Sequence, residues 1–152
     1  GMCIRERLYD GPAVWAGPNN CRALVAHQRQ LSDEQIKALI ERNAVIGAAF
    51  DAWMMIPGWS RFETLPGDVG LTIAHAVDHI DHICQLAGNA NHVGVGSDLD
   101  GGYGTEQTPL DLNSIADLRA LIPLLAERGV VAGDVAKMMH GNSVRLPRQA
   151  WT

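Results

Sequence analysis

Two short stretches of this sequence carry side chains that could do chemistry. One is HAVDHIDHICQLAG, residues 75–88, which holds His75, His79 and His82 with the carboxylates Asp78 and Asp81. Imidazoles three and four residues apart fall on one side of a helix, a spacing that suits metal ligation. The other is GVGSDLDGG, residues 94–102, where Asp98 and Asp100 follow small and apolar residues and precede two glycines. A carboxylate placed where a buried strand runs out can have its proton affinity tuned for acid–base work.

A helical wheel separates the two. At about 100° per residue, Ile73, Val77, Ile80, Ile83, Cys84 and Ala87 share one side, which is the expected core face. His75, His79 and His82 lie nearly opposite, with Asp78 beside them, and are expected to point away from the core. In parallel α/β architectures ligands bind at the carboxyl ends of strands, not on the outer faces of helices. The histidines therefore read as a polar, solvated face of Asp–His pairs, and no native metal is expected. A site formed by His75, His79 and His82 is the alternative, as is a bridging role at a subunit contact.

Asp98 and Asp100 are two apart, so on a strand both point the same way. Asp98 is the stronger catalytic candidate. The competing reading is that one aspartate caps the following loop and the other pairs with a base. A calcium-binding EF-hand is excluded because the place of its closing glutamate holds Pro109, and a dinucleotide fingerprint because GVGSDL ends in Leu99. Arg22 and Arg29 follow the first expected strand. A guanidinium there is a natural clamp for a carboxylate, through two parallel hydrogen bonds. His27 reads as a loop histidine and Trp53 as a half-buried rim residue.

The elements that must position these groups alternate. Strands are expected at 12–16 (PAVWA), 44–50 (AVIGAAF) and 92–100, the latter two apolar on both faces. A helix starts after Ser32, with Gln35 completing a capping box, and ends near Asn43. A second runs from about Thr72 to Ala87 and stops at Gly88. Pro123 is expected to begin a helix, and 133–146 is the last. The order predicts parallel strands joined by right-handed crossovers.

The chain has 152 residues, enough for one domain with a real core; Gly1 before Met2 reads as a tag remnant. The net charge is −5 and the basic residues are scattered, which argues against nucleic acid. No apolar stretch approaches the roughly 20 residues of a membrane span, and no signal peptide is visible. Cys3, Cys21 and Cys84 are sparse and odd in number, so a reducing, cytoplasmic setting is expected.

The stretches VDHIDHICQLAGNANHVGVGSDLDGG, NNCRALVAHQRQLSDEQIKALIERNAVIGAAFDAW and LLAERGVVAGDVAKMMHGNSVRL resemble the renal (membrane) dipeptidase family of zinc metallopeptidases, over almost the whole chain. The resemblance implies a (β/α)₈ barrel of the metal-dependent hydrolase type, two zinc ions, a bridging hydroxide and a dipeptide substrate. By motif, Asp98 matches the aspartate that engages the substrate amino group and the reacting centre, and Arg29 matches the arginine that holds the substrate carboxylate. An eight-stranded barrel takes about 250 residues. Residues 1–152 therefore correspond, as a single domain, to the C-terminal half of such a barrel: a partial TIM-barrel-like α/β fold with about three parallel strands and flanking helices. The family's other zinc ligands fall outside it, and its last zinc histidine, in a Ser-His pair, is matched here by Gly17 and Pro18. Proline cannot bind zinc, so the chain alone is expected to bind no metal natively and to lack dipeptidase activity. The unpaired strand edges predict a homo-oligomer or a complementary half-barrel chain. A non-catalytic binding module on the same fold is a further alternative.

Overall fold

In the computed structural model, Gly11 and residues 14–151 are described. The strand predicted at 12–16 is seen as β1, Trp15–Ala16, its first two residues lying outside the described ones. After β1 come α1 (Asp33–Glu41), β2 (Val45–Ala49), the short helices α2 (Ala52–Met55) and α3 (Pro66–Val69), α4 (Ala74–Ala87) and β3 (Val93–Ser97). The sheet has the order β1-β2-β3 with both pairings parallel, as the alternation of elements predicts. Short 3₁₀ segments at Thr105–Gln107 and Ile115–Ala120 lead into α5 (Leu121–Glu127). Then come α6 (Ala132–Ala136), a π-helical turn (Lys137–Gly141) and α7 (Asn142–Ala150).

Local chemistry explains most of the boundaries. The capping box forms: Gln35 N–H donates to Ser32 Oγ and Ser32 N–H donates to Gln35 Oε1. Asn43 takes the left-handed backbone after α1, and Gly88 does the same after α4. Pro123 is the third residue of α5, still in the first turn, but the chain is already coiled from Ile115, so it does not start the helical run. The last helix passes through Pro147 instead of ending at 146. Strand β3 ends at Ser97, earlier than the predicted 100, because Ser97 and Asp98 both take positive φ, at 37° and 66°. Asp98 and Asp100 therefore lie in a turn, closed by Gly101 N–H donating to the Asp98 carbonyl, and not on one strand face.

All five residues of β2 are buried, so both faces of the sheet are covered at its central strand. Ile46, Ala48 and Phe50 join the main core with Ile36, Leu39, Ile73, Ile80 and Ile83 from the helices. On the other face the Trp15 indole lies across glycines: a Cβ on Gly47 would sit 2.8 Å from the ring and one on Gly94 3.1 Å from it. The amino ends of β2 and β3 are closed by α7, where Asn142 Nδ2 donates to the carbonyls of Ala90 and Val93 and Arg145 reaches those of Asn43 and Asn91. That leaves the carboxyl ends of the strands for a site.

The closest backbone approach in the sheet sets a test. A Cβ on Gly96 would lie 2.6 Å from the Gly47 carbonyl oxygen, where only backbone could yield. Gly96→Ala is expected to destabilise the chain by about 1–3 kcal/mol. Gly133→Ala, at a helical glycine with open space around it, is expected to be neutral or stabilising. Urea midpoints of the two variants check the contrast.

Candidate active site at the carboxyl end of the sheet

The histidine face is the largest correction to the wheel. His79 is 1% exposed, not turned to solvent. Cys21 N–H donates to His79 Nδ1 at 3.1 Å, which leaves Nε2 to donate to the Met55 carbonyl at 3.1 Å. The side of α4 opposite the sheet is thus covered, by the first loop, α2 and α1, and a wheel cannot see that second layer. Its expected core residues Cys84 and Ala87 are only half-buried. His82 Nε2 pairs with Asp33 Oδ1 of α1 at 2.8 Å, and His75 Nδ1 turns back on Thr72. Asp78 pairs with Arg128. The three imidazoles are spent on separate partners, and no group of three His, Cys, Asp or Glu among the described residues could hold a metal ion. The residues described here do not fit a zinc centre by themselves.

At the carboxyl ends the picture differs. The first loop is fastened to the end of β2 by buried amides. Asn20 Nδ2 donates to the carbonyls of Ala49 and Met54, Ala49 N–H donates back to Asn20 Oδ1, and Gln30 Nε2 donates to Met54 at 2.7 Å. Arg22 is a brace within this loop, its guanidinium on the carbonyls of His27, Gln28 and Gln30, and is not available as a clamp. Arg29 is exposed and lies over the Trp53 ring, 5.4 Å from its centroid. His27 meets the same indole edge-on at 4.7 Å. The two residues read as loop and rim from sequence thus wall an open groove of about 620 Å³ with Arg29, Arg61 and Trp59.

Asp51, which sequence reasoning passed over, organises this end. It follows β2 as Asp98 follows β3, so the argument that singled out Asp98 applied to FDAW as well. Its carboxylate is buried and accepts from Trp53 Nε1 at 2.7 Å, Arg61 Nη2 at 3.1 Å and Gln107 Nε2 at 2.7 Å. Asp98 sits in its field. Burial raises the proton affinity of Asp98, and the negative charges of Asp51 and Asp100 raise it further, against the opposing pull of Arg29 and Arg61. Burial also lifts the Tyr103 phenol well above its ordinary range, helped by Asp98 and Asp51, so it remains an O–H donor. Asp100 is exposed.

Unsatisfied groups concentrate here too. Asn19 Nδ2, Trp59 Nε1 and Tyr103 Oη are buried without a hydrogen-bond partner, and they lie on the loops that follow β1, β2 and β3 in turn. Buried polar atoms without partners are rare in native folds. One such atom lies on each strand-end loop.

Comparison with known proteins gives this arrangement a context. The chain is 28% identical over 134 residues to the "Uncharacterized protein in pqqA 5′ region" of Klebsiella pneumoniae, covering 88% of this chain and 45% of that protein. It is 28% identical over 124 residues to Dipeptidase aclJ of Aspergillus oryzae, covering 82% and 26% respectively. Among solved structures, a metallopeptidase of Rhodobacter sphaeroides liganded with a phosphinate mimic of the dipeptide L-Ala-D-Ala superposes with a TM-score of 0.71 at 23% identity, over 95% of this chain and 38% of that one. The probable dipeptidase PvdM of Pseudomonas aeruginosa gives 0.75 at 19% identity, over 95% and 46%. The chain thus spans less than half the length of these proteins, and its three parallel strands are part of their barrel-like fold. The model of the membrane dipeptidase family (peptidase family M19) matches residues 12–152, and the chain belongs to that family.

Proposed function

We propose that residues 1–152 are the C-terminal half of a dipeptidase barrel and supply substrate-side groups for dipeptide hydrolysis. Arg29 holds the substrate carboxylate. Asp98 engages the substrate amino group and the reacting centre, with a raised proton affinity that suits it to pass a proton to the leaving amine. The observation that carries this reading is the convergence on Asp98, at one sheet end, of the charges of Asp51, Arg29 and Arg61, with buried polar atoms that lack partners among the described residues on all three loops.

No three His, Cys, Asp or Glu side chains stand together as a metal site among the described residues, so on this reading the family's two zinc ions draw ligands from the rest of a barrel. Activity on this reading belongs to the completed assembly, formed with a complementary half-barrel chain or as an oligomer. Free thiols at Cys21 and Cys84 fit a reducing, cytoplasmic setting, and no helix among the described residues is long and apolar enough to cross a membrane. The pure chain is expected to hydrolyse no simple dipeptide with added zinc or manganese, measured by release of free amino acid. Saturable hydrolysis that Asp98→Asn abolishes would overturn the proposed dependence on the rest of the barrel.

A further inference from the structure

The groove beneath Arg29 has a one-sided hydrogen-bonding character. Arg29 and Arg61 both line it. Trp59 lines the groove as well, with its indole N–H buried beneath the surface. His27 Nδ1 accepts the Arg29 backbone N–H, so the neutral ring carries its proton on Nε2, a further donor. Among the described residues no carboxylate lines the groove; Asp51 stands behind, accepting one bond from Arg61 and one from Trp53. Arg61 keeps about half of its side-chain surface exposed, at 51%, and its remaining donors are uncommitted. The walls are apolar, from Trp53 and Ile56. A site of donors on an apolar frame is complementary to an organic anion with more than one acceptor-rich group.

We propose that this groove selects dipeptides whose C-terminal residue bears an acidic side chain, with Arg61 as the specificity-determining residue. This rests on the reading of Arg29 as the clamp for the main-chain carboxylate. Arg61 lines the same groove, so the group it meets is a second carboxylate on the same residue of the ligand. Asp51 is a positioning residue: it fixes Arg61 and turns the Trp53 ring under Arg29.

The test is calorimetric binding of L-alanyl-L-glutamate and L-alanyl-L-glutamine, near-isosteric probes that differ in one negative charge, to the whole chain. Wild type is expected to bind the glutamate dipeptide about tenfold more tightly at low salt, the worth of one charge-assisted hydrogen-bonded pair. Arg61→Gln should remove that preference, lowering affinity for the glutamate dipeptide about tenfold more than for the glutamine dipeptide. Arg61→Lys should keep part of the preference, since it retains the charge but not the planar fork. Arg29→Gln should weaken both dipeptides alike. Equal affinities in wild type, or a preference that survives Arg61→Gln, overturn the selectivity while leaving the clamp standing. If neither dipeptide binds, or Arg29→Gln changes neither, the clamp itself fails and the selectivity falls with it.

Discussion

His79→Ala is expected to lower folding stability by about 3 kcal/mol, whereas His75→Ala and His82→Ala each cost under about 1 kcal/mol. The three residues look equivalent in sequence, so the contrast is diagnostic. The His79 ring is buried and joins α4 to the first loop and to α2 through two hydrogen bonds. Its removal leaves the Cys21 N–H and the Met55 carbonyl unpaired in residues that are 0% and 3% exposed, and opens a cavity beside them. The His82–Asp33 pair is partly exposed at both ends, so its loss weighs little. Burial holds the His79 imidazole below its ordinary value of 6.5, the dominant cause against the opposing hydrogen bond to Met55. A depressed value means that the unfolded chain takes up the proton first. The His79 contribution is therefore whole above pH 6.5 and is lost as pH falls below it. Urea unfolding across this range should show an acid-side slope that is smaller in His79→Gln. A cost for His75→Ala equal to that for His79→Ala would remove the structural assignment.

What was legible in the sequence follows from how far each signal reaches along the chain. The capping box at Ser32 and Gln35, the left-handed turns at Asn43 and Gly88 and the apolar strand β2 are local, and the structure has them where the residues put them, whereas β3 stops three residues short of its predicted end. The parallel order follows from the alternation of those elements. The wheel failed at His79 because amphipathicity assumes one buried face, and α4 is packed on two. Arg22 and Arg29 are indistinguishable by type and position. Only the fold of the loop turns Arg22 onto three carbonyls and leaves Arg29 over Trp53. Asp51 was within reach, since it closely follows a buried strand, as Asp98 follows β3. Arg61 was not, because it comes from the loop between α2 and α3, and nothing in IPGWSRFE says that it turns back to the carboxylate at 51.

Asp98→Asn is expected to lower the turnover of a completed barrel by about 10²–10⁴-fold, the range for losing a positioned acid–base group. Refolding the chain with the N-terminal half of a related dipeptidase gives the assembly in which to measure it. The same substitution should make the isolated chain more stable at neutral pH. Burial and the charges of Asp51 and Asp100 raise the Asp98 carboxyl above its ordinary value of 3.8. A raised value means that the folded chain binds the proton more readily than the unfolded one. The stabilisation this brings is whole below pH 3.8 and is lost as pH rises through the folded value. Asparagine has no charge to desolvate, so the advantage of the variant should appear at neutral pH and vanish in acid. Asp98 also holds a left-handed backbone, at φ 66°, a conformation that asparagine tolerates and that would add strain to most other replacements. Loss of turnover with a gain in neutral stability is the signature of a carboxylate kept for chemistry at a cost to the fold. A variant that loses stability at neutral pH would instead make Asp98 a structural cap of its turn, and the catalytic assignment would have to move to Asp51.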